Sequence, residues 1–224
     1  MKFSVSSSEL LKHLQIAGGA IGANPVVPIL DDFLFSIEDG RLTISATDLE
    51  TSIITSIEVM SDSNGAVAVP AKILLDTLKA LPQQPITFNI NEENYGIEIT
   101  SAYGRYRLVS ENPEDFPNIP QPDNTDTIEL PANVLIQGIN KTLFATSNDD
   151  LRHSMTGVYF RVDFSKLTLV ATDAHKLVKY TFNGIESEVS SSFIVPKKAL
   201  NLLKNALPAG DSIKMAFNKA NAFF

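Results

Sequence analysis

LTISATDLETS (residues 42–52) and LTLVATDAHKL (residues 167–177) share one Leu-Thr-x-x-Ala-Thr-Asp core, written twice at an offset of 125 residues. Strand alternation places Leu42, Ile44 and Ala46 on one face of the first copy, and Leu167, Leu169 and Ala171 on one face of the second. Thr47-Asp48 and Thr172-Asp173 then close the strand, where a short carboxylate accepts hydrogen bonds from nearby backbone N–H groups in a turn. The shared residues are therefore read as structural. A task belonging to one copy falls to the residues that differ, and His175 and Lys176 follow only the second copy.

The repetition extends outward. VPAKILLDTLKALP (residues 69–82) returns as VPKKALNLLKNALP (residues 195–208), and Leu10, Leu11 and Leu14 return as Leu135, Ile136 and Ile139. Offsets held at 125 to 126 residues mean two copies of one domain-sized unit. Between them, NPEDFPNIPQPDNTDTIELP carries five of the twelve prolines, Pro113, Pro117, Pro120, Pro122 and Pro131. Proline fixes φ and withholds a ladder donor, so the expected division is 1–122 and 123–224.

Each unit contains a smaller repeat. MKFSV alternates as a short strand, and a serine-led helix with a glycine stop follows. FLFSIEDGRLTISATD reads as two strands around an Asp39-Gly40 hairpin turn, and TSIITSIEVM as a third strand. The second half repeats the order, with strands expected at 86–90, 95–101 and 104–110. The fold class is α+β: strand, helix and three strands performed twice per unit, with helices on one side of antiparallel sheets. Helices are predicted over 7–17, 71–81, 132–145 and 197–207.

At 224 residues, 44% hydrophobic and 20% charged, the chain is too apolar for disorder. It has no run of about 18 apolar residues and no signal-peptide core, so the expectation is a cytoplasmic protein with no membrane association. Zero cysteines exclude a disulfide framework and a thiolate zinc site. A net charge of −8 argues against an ordinary basic nucleic-acid binder. The charge is not evenly spread, however. The predicted helices hold seven lysines (Lys12, Lys72, Lys79, Lys141, Lys197, Lys198, Lys204) against two acids (Glu9, Asp76), while the remaining 11 basic and 24 acidic residues leave strands and loops strongly negative. Helix propensity alone favours scattered lysines. The alternative is a polyanion facing the helical layer, with an acidic exterior that discourages indiscriminate binding.

The doubled strand-helix-three-strand unit, with ATDLE, VPAK, DFPN, ATDAHKL and VPKK in this order, resembles the bacterial sliding clamps, the beta subunits of DNA polymerase III. The similarity covers the whole chain. It implies a non-catalytic processivity factor that encircles duplex DNA as a homodimeric ring, with three such domains per subunit and helices lining the hole. The implied partners are duplex DNA, the DNA polymerase III alpha subunit, the clamp loader and other clamp-motif proteins, and no cofactor or metal is implied. Carrying the offset to the DFP turn near Pro117 puts the end of unit 2 at about residue 243, so the expectation is a fragment lacking the last strand of domain 2 and the third domain.

By the resemblance, partner peptides dock on Arg152, Met155, Thr172, Ala174, His175, Lys176 and Leu177. Glycine is usual in the family where Ala174 stands, and arginine where Lys176 stands. DNA contacts map onto Asn24, Lys72, Asn148, Asp149, His153, Ser154 and Lys198, with Asn24 replacing an arginine and Asp149 a neutral donor. Subunit closure maps onto GRYRLVS, where Arg105 and Arg107 face one way and Tyr106 and Leu108 the other.

A hydrolase is the alternative, using Asp149, Asp150, His153, Asp173 and His175. Against it, no His-x-x-x-His or Gly-x-Ser-x-Gly pattern occurs, and AGGAIGAN (residues 17–24) lacks the Gly-Lys-Ser/Thr of a phosphate loop. A scaffold with no nucleic-acid role is the third class, and it predicts no salt-sensitive association with DNA.

Overall fold

The computed structural model describes every residue except Val26, Pro208 and Ala209, so the last proline of the repeated VPKK helix segment lies outside the described residues. The chain divides into two units, Met1–Ile119 and Pro120–Phe224. No helix among the described residues is long and apolar enough to cross a membrane.

Unit 1 runs β1 (Lys2–Ser6), α1 (Ser7–Ala17), a 3-10 turn (Pro28–Asp31), β2 (Asp32–Glu38), β3 (Arg41–Thr47), β4 (Ser52–Glu58), β5 (Met60–Ser61), β6 (Gly65–Pro70), α2 (Ala71–Ala80), β7 (Pro85–Ile90), β8 (Gly96–Ser101) and β9 (Gly104–Val109). The strands form a five-stranded sheet ordered β5-β1-β7-β8-β9 and a four-stranded sheet ordered β4-β3-β2-β6, antiparallel throughout. The two helices pack on each other and close one core. Leu10, Leu14 and Ala17 of α1 meet Leu74 and Leu78 of α2 above Phe3, Phe35, Phe88, Leu42, Ile44 and Ala46. Phe3 stacks on Phe88 at 4.7 Å, with Phe35 edge-on to both. Burying such rings supplies much of the driving force.

Unit 2 runs β10 (Asp126–Pro131), α3 (Ala132–Thr142), a 3-10 turn (Leu143–Ala145), a 3-10 segment (Asp150–Met155), β11 (Gly157–Asp163), β12 (Lys166–Thr172), β13 (Leu177–Asn183), β14 (Ser191–Pro196), α4 (Lys197–Ala206), β15 (Ser212–Phe217) and β16 (Ala222–Phe223). Its sheets are ordered β10-β15-β16 and β13-β12-β11-β14. Leu135, Ile139 and Leu200 from the helices enter one core with Phe160, Leu167, Leu169, Val195 and Phe217. Gly138 lets α3 approach the sheet: a Cβ there would lie 3.1 Å from Leu169 Cδ2 and 3.3 Å from Tyr180 Cδ1.

Most predicted elements form where local chemistry places them. Asp39 and Gly40 take φ of +49° and +76°, the pair of left-handed residues that a tight β2–β3 hairpin requires. Helix α2 stops at Ala80, because Leu81 precedes Pro82 and is extended (φ −91°, ψ 138°). Three readings need correction. The 132–145 helix ends at Thr142, whose Oγ1 donates to Gly138 O at 2.8 Å, and 3-10 geometry takes over. The single strand expected over 51–60 is two, since β5 leaves β4 and pairs with β1 in the other sheet. The proline-rich junction is only partly a linker: Asn112 caps a 3-10 turn at Pro113–Asp115, and Phe116 is buried with Ile29 and Ala68.

Candidate functional site

Antiparallel register gathers the candidate residues of unit 2. Gly157 at the start of β11 lies opposite Pro196 at the end of β14, and Thr172 ends β12 opposite Leu177 at the start of β13. The 3-10 segment Asp150–Met155, the Thr172–Leu177 turn and the first turn of α4 therefore crowd one end of the sheet. Two hydrogen bonds tie the start of α4 to the residues flanking the 3-10 segment: Lys197 N donates to Thr156 O at 3.2 Å, and Lys197 Nζ to Asn148 Oδ1 at 2.9 Å.

The two Ala-Thr-Asp segments build the same turn. Asp48 Oδ1 accepts from Glu50 N at 3.1 Å and Thr51 N at 2.7 Å, while Thr47 Oγ1 accepts from Leu49 N at 3.1 Å. Asp173 Oδ1 accepts from His175 N at 3.0 Å and Lys176 N at 2.9 Å, and Thr172 Oγ1 from Ala174 N at 3.1 Å. Thr172 Oγ1 also donates to Lys176 O at 2.8 Å. Holding these N–H groups in one fan points the next side chains outward: His175, Lys176 and Leu177 are exposed, Leu177 by 67%. Met155 is half-buried. Arg152 stands out of helical geometry (φ −116°, ψ 59°).

Both cations of this surface have acidic neighbours. Arg152 Nε pairs with Asp149 Oδ2 at 3.3 Å, and Lys176 Nζ with Asp173 Oδ2. The hydrogen bonds from Lys176 hold the Asp173 carboxyl well below the usual carboxylate range. Exposed pairs of this kind are worth little and exchange readily for another carboxylate. Leu151, 92% exposed beside Arg152, also belongs to this surface. Sequence reading passed over it because it sits in a polar Asp-Asp-Leu-Arg run with no helical or strand period.

The acids of the alternative hydrolase cluster are employed otherwise. Asp149 Oδ1 caps the 3-10 segment through Leu151 N at 3.1 Å, and Asp173 serves its own turn. The Asp150 side chain lies outside the described residues. Among those described, no three His, Cys, Asp or Glu residues converge as metal ligands.

Of the other candidates, Asn148, His153, Ser154 and Lys198 belong to this same end of unit 2, while Asn24, Lys72 and the β9 residues lie in unit 1. Lys72 and Lys198 each occupy the second position of a helix, α2 and α4, directly after a strand-ending proline. Lys72 is exposed and Lys198 half-buried. Asn24, Asn148, His153 and Ser154 are exposed loop or 3-10 residues, Asn24 in the segment between α1 and the Pro28–Asp31 turn. At the edge of the five-stranded sheet, Arg105 and Arg107 of β9 reach Glu98 at 3.8 and 3.1 Å, while Tyr106 and Leu108 turn inward against the core. The alternation read from GRYRLVS is the one observed.

Two copies of an α+β unit, each with paired helices over antiparallel sheets, define the sliding-clamp type of fold. Residues 1–120 match the family model of the DNA polymerase III beta subunit N-terminal domain, and residues 129–224 match that of its central domain. The chain belongs to the DNA polymerase III beta-subunit family. It is 34% identical over 213 residues to the beta sliding clamp of Haemophilus influenzae and 31% identical over 213 residues to that of Escherichia coli K12, covering 94% and 95% of this chain. It spans 58% of the length of each of these relatives. Among solved structures, the Caulobacter crescentus DNA polymerase sliding clamp is 29% identical with a TM-score of 0.88, covering 97% of this chain and 60% of that one. The Pseudomonas aeruginosa sliding clamp bound to griselimycin is 26% identical with a TM-score of 0.89, over 98% and 60%.

Proposed function

We propose that this chain forms two domains of a processivity clamp, a non-catalytic ring that surrounds duplex DNA and tethers proteins to it. The observation that carries this reading is the equivalent placement of Lys72 and Lys198 at the starts of α2 and α4, within a chain of the beta-subunit family. A ring linked topologically to DNA needs no sequence-specific grip. Lysines contacting phosphates keep it centred and let it slide, because such contacts are blind to sequence. A docked polymerase gains processivity because release becomes local recapture.

The remaining surfaces take the other tasks. Met155 and Leu177 offer an adaptable apolar floor to a short peptide from the DNA polymerase III alpha subunit, the clamp loader or another clamp-motif protein. Arg152, His175 and Lys176 supply donors for its backbone or terminus, and Thr172 and Ala174 set the turn that presents them. Asn24, Asn148, Asp149, His153 and Ser154 line the DNA side, with Asp149 engaged by Arg152. The β9 edge, carrying Arg105, Tyr106, Arg107 and Leu108, closes a homodimer. The division at 1–122 and 123–224 follows the same reading.

The test is a ring in which this chain replaces the first two domains of a sliding clamp, loaded on circular duplex DNA. Lys72→Glu with Lys198→Glu should shorten retention at low salt and lower the salt slope by about 2, since each phosphate left without its lysine removes about 0.9. Equal retention by both rings at low salt would remove the helices from the mechanism.

A further inference from the structure

The 3-10 segment of unit 2 has no buried anchor of its own. Leu151, Arg152, His153 and Ser154 are exposed and Met155 is half-buried. The internal repeat shows how unit 1 treats the same stretch. Leu14 corresponds to Ile139, and the Asp32–Pro70 register pair to Gly157–Pro196, so the offset is 125 residues at both ends of the intervening segment. Ser154 and Met155 therefore fall on Ile29 and Leu30, which are 4% and 2% exposed. Burial of two apolar side chains anchors the segment in unit 1. In unit 2 the same positions stay open to solvent, and polar contacts take over the task.

Those contacts converge on one residue. Ser147 N donates to Met155 O at 2.8 Å and closes the neck of the segment. Lys197 then grips the residue beside each end of that neck: its N donates to Thr156 O at 3.2 Å, and its Nζ to Asn148 Oδ1 at 2.9 Å. The grip has a firm base. Pro196 is paired opposite Gly157, and Leu200, one helical turn beyond Lys197, is fully buried. In unit 1 both ends of the side-chain bond are alanine, Ala71 in place of Lys197 and Ala23 in place of Asn148. The bond therefore belongs only to the copy that carries His175 and Lys176.

We propose that Lys197 is a positioning residue of the partner-peptide surface: its ammonium clasps Asn148, and the clasp holds Arg152 and Met155 where a docking peptide meets them. The proposal rests on the clamp reading given above. Asp149, the ion-pair partner of Arg152, directly follows Asn148, and Arg152 itself stands out of helical geometry. With Asn148 released, the Asp149–Arg152 pair is free to drift, and a peptide must order the segment as it binds.

The experiment compares Lys197→Met, which keeps the stem and removes the donors, with Lys197→Arg, Asn148→Ala and the Lys197→Met, Asn148→Ala double variant. Amide hydrogen exchange is read on the 224-residue chain. The affinity for a labelled clamp-motif peptide from a DNA polymerase III alpha subunit is read on the ring described above. Lys197→Met should speed exchange at Ser147, Arg152 and Thr156 by about three- to tenfold and weaken peptide binding by a similar factor. Exchange in β12 should not change, which checks that the variant folds. Asn148→Ala should match it, and the double variant should lose no more than either single one. Lys197→Arg should restore both readouts. Unchanged exchange, additive losses, or altered exchange with unchanged peptide affinity overturns the proposal. So does intact peptide affinity with a salt slope of DNA retention lowered by about 0.9, which makes Lys197 a phosphate contact. A wild-type ring that binds no clamp-motif peptide overturns the clamp reading itself, and the proposal with it.

Discussion

Leu49 and Ala174 occupy the same left-handed backbone conformation, at φ of +78° and +75°, each one residue after the aspartate of its turn. Neither residue favours that region, so both turns hold strain that their hydrogen bonds overcome. Glycine, which the family resemblance implies at the position of Ala174, takes this conformation without a side-chain penalty. At this backbone angle the first effect of the alanine methyl is conformational.

Ala174→Gly is therefore expected to stabilise unit 2 by about 0.5–1 kcal/mol, relief of the left-handed penalty exceeding the entropy of a more flexible unfolded chain. Ala199→Gly, inside α4, should cost about 1 kcal/mol instead. Urea unfolding of the two variants checks both signs, and a loss in Ala174→Gly would show that the turn is not strained.

Asp48→Ala removes the acceptor of two backbone donors, Glu50 N and Thr51 N. The expected cost is about 1 kcal/mol, the net value of such bonds at a partly exposed turn. Because the change lies in unit 1, clamp-motif peptide binding through His175 and Lys176 should be unaffected. Chemical denaturation alongside a peptide titration separates the two effects.

Asp32 gives the chain a pH-dependent stability. Its side chain is 4% exposed with no partner for Oδ2. Burial raises its pKa to about 7, and the charges of Glu111 and Asp31 push in the same direction. An unfolded chain loses this proton near 3.8, while the folded one keeps it to about 7. Each step across that window favours the unfolded state, so stability is fully present below 3.8, falls toward pH 7 and is level above it. Asp32→Asn should change the melting temperature little at pH 4 and raise it by several degrees relative to wild type at pH 8. A melting difference that does not vary with pH would refute the assignment to Asp32.

Gly157→Ala should destabilise unit 2 by about 1–3 kcal/mol. A Cβ there would lie 2.5 Å from Val195 O and 2.7 Å from Ile194 Cγ2, and a ladder carbonyl cannot step aside as a flexible side chain does. Thermal melts of this variant beside Gly184→Ala separate crowding from backbone preference. A Cβ at Gly184 meets nothing within 4 Å, but its φ of +99° disfavours a side chain. Crowding predicts that the loss in Gly157→Ala shrinks when Ile194 is cut to alanine, whereas the loss in Gly184→Ala does not.

Two α+β units, their helices, the Asp39-Gly40 hairpin and the paired Ala-Thr-Asp turns were legible in the chain because their causes are local. Periods of two and 3.6 residues, a proline after a helix, and an aspartate two residues before the N–H it accepts all lie within a few positions. The alternation of Arg105 and Arg107 with Tyr106 and Leu108 was legible for the same reason, whereas the packing of the apolar pair against the unit's own core was not. Tertiary structure alone decided where β5 leaves β4, how Phe116 enters the first unit's packing, and why Asp32 is buried beside Glu111. It also revealed that Arg152 and Lys176 reach their surface already paired with Asp149 and Asp173. The Asp32–Glu111 approach and the Ala68–Glu111 bridge join residues 79 and 43 positions apart. Their geometry depends on register and on close packing between sheets, which no short window of sequence encodes.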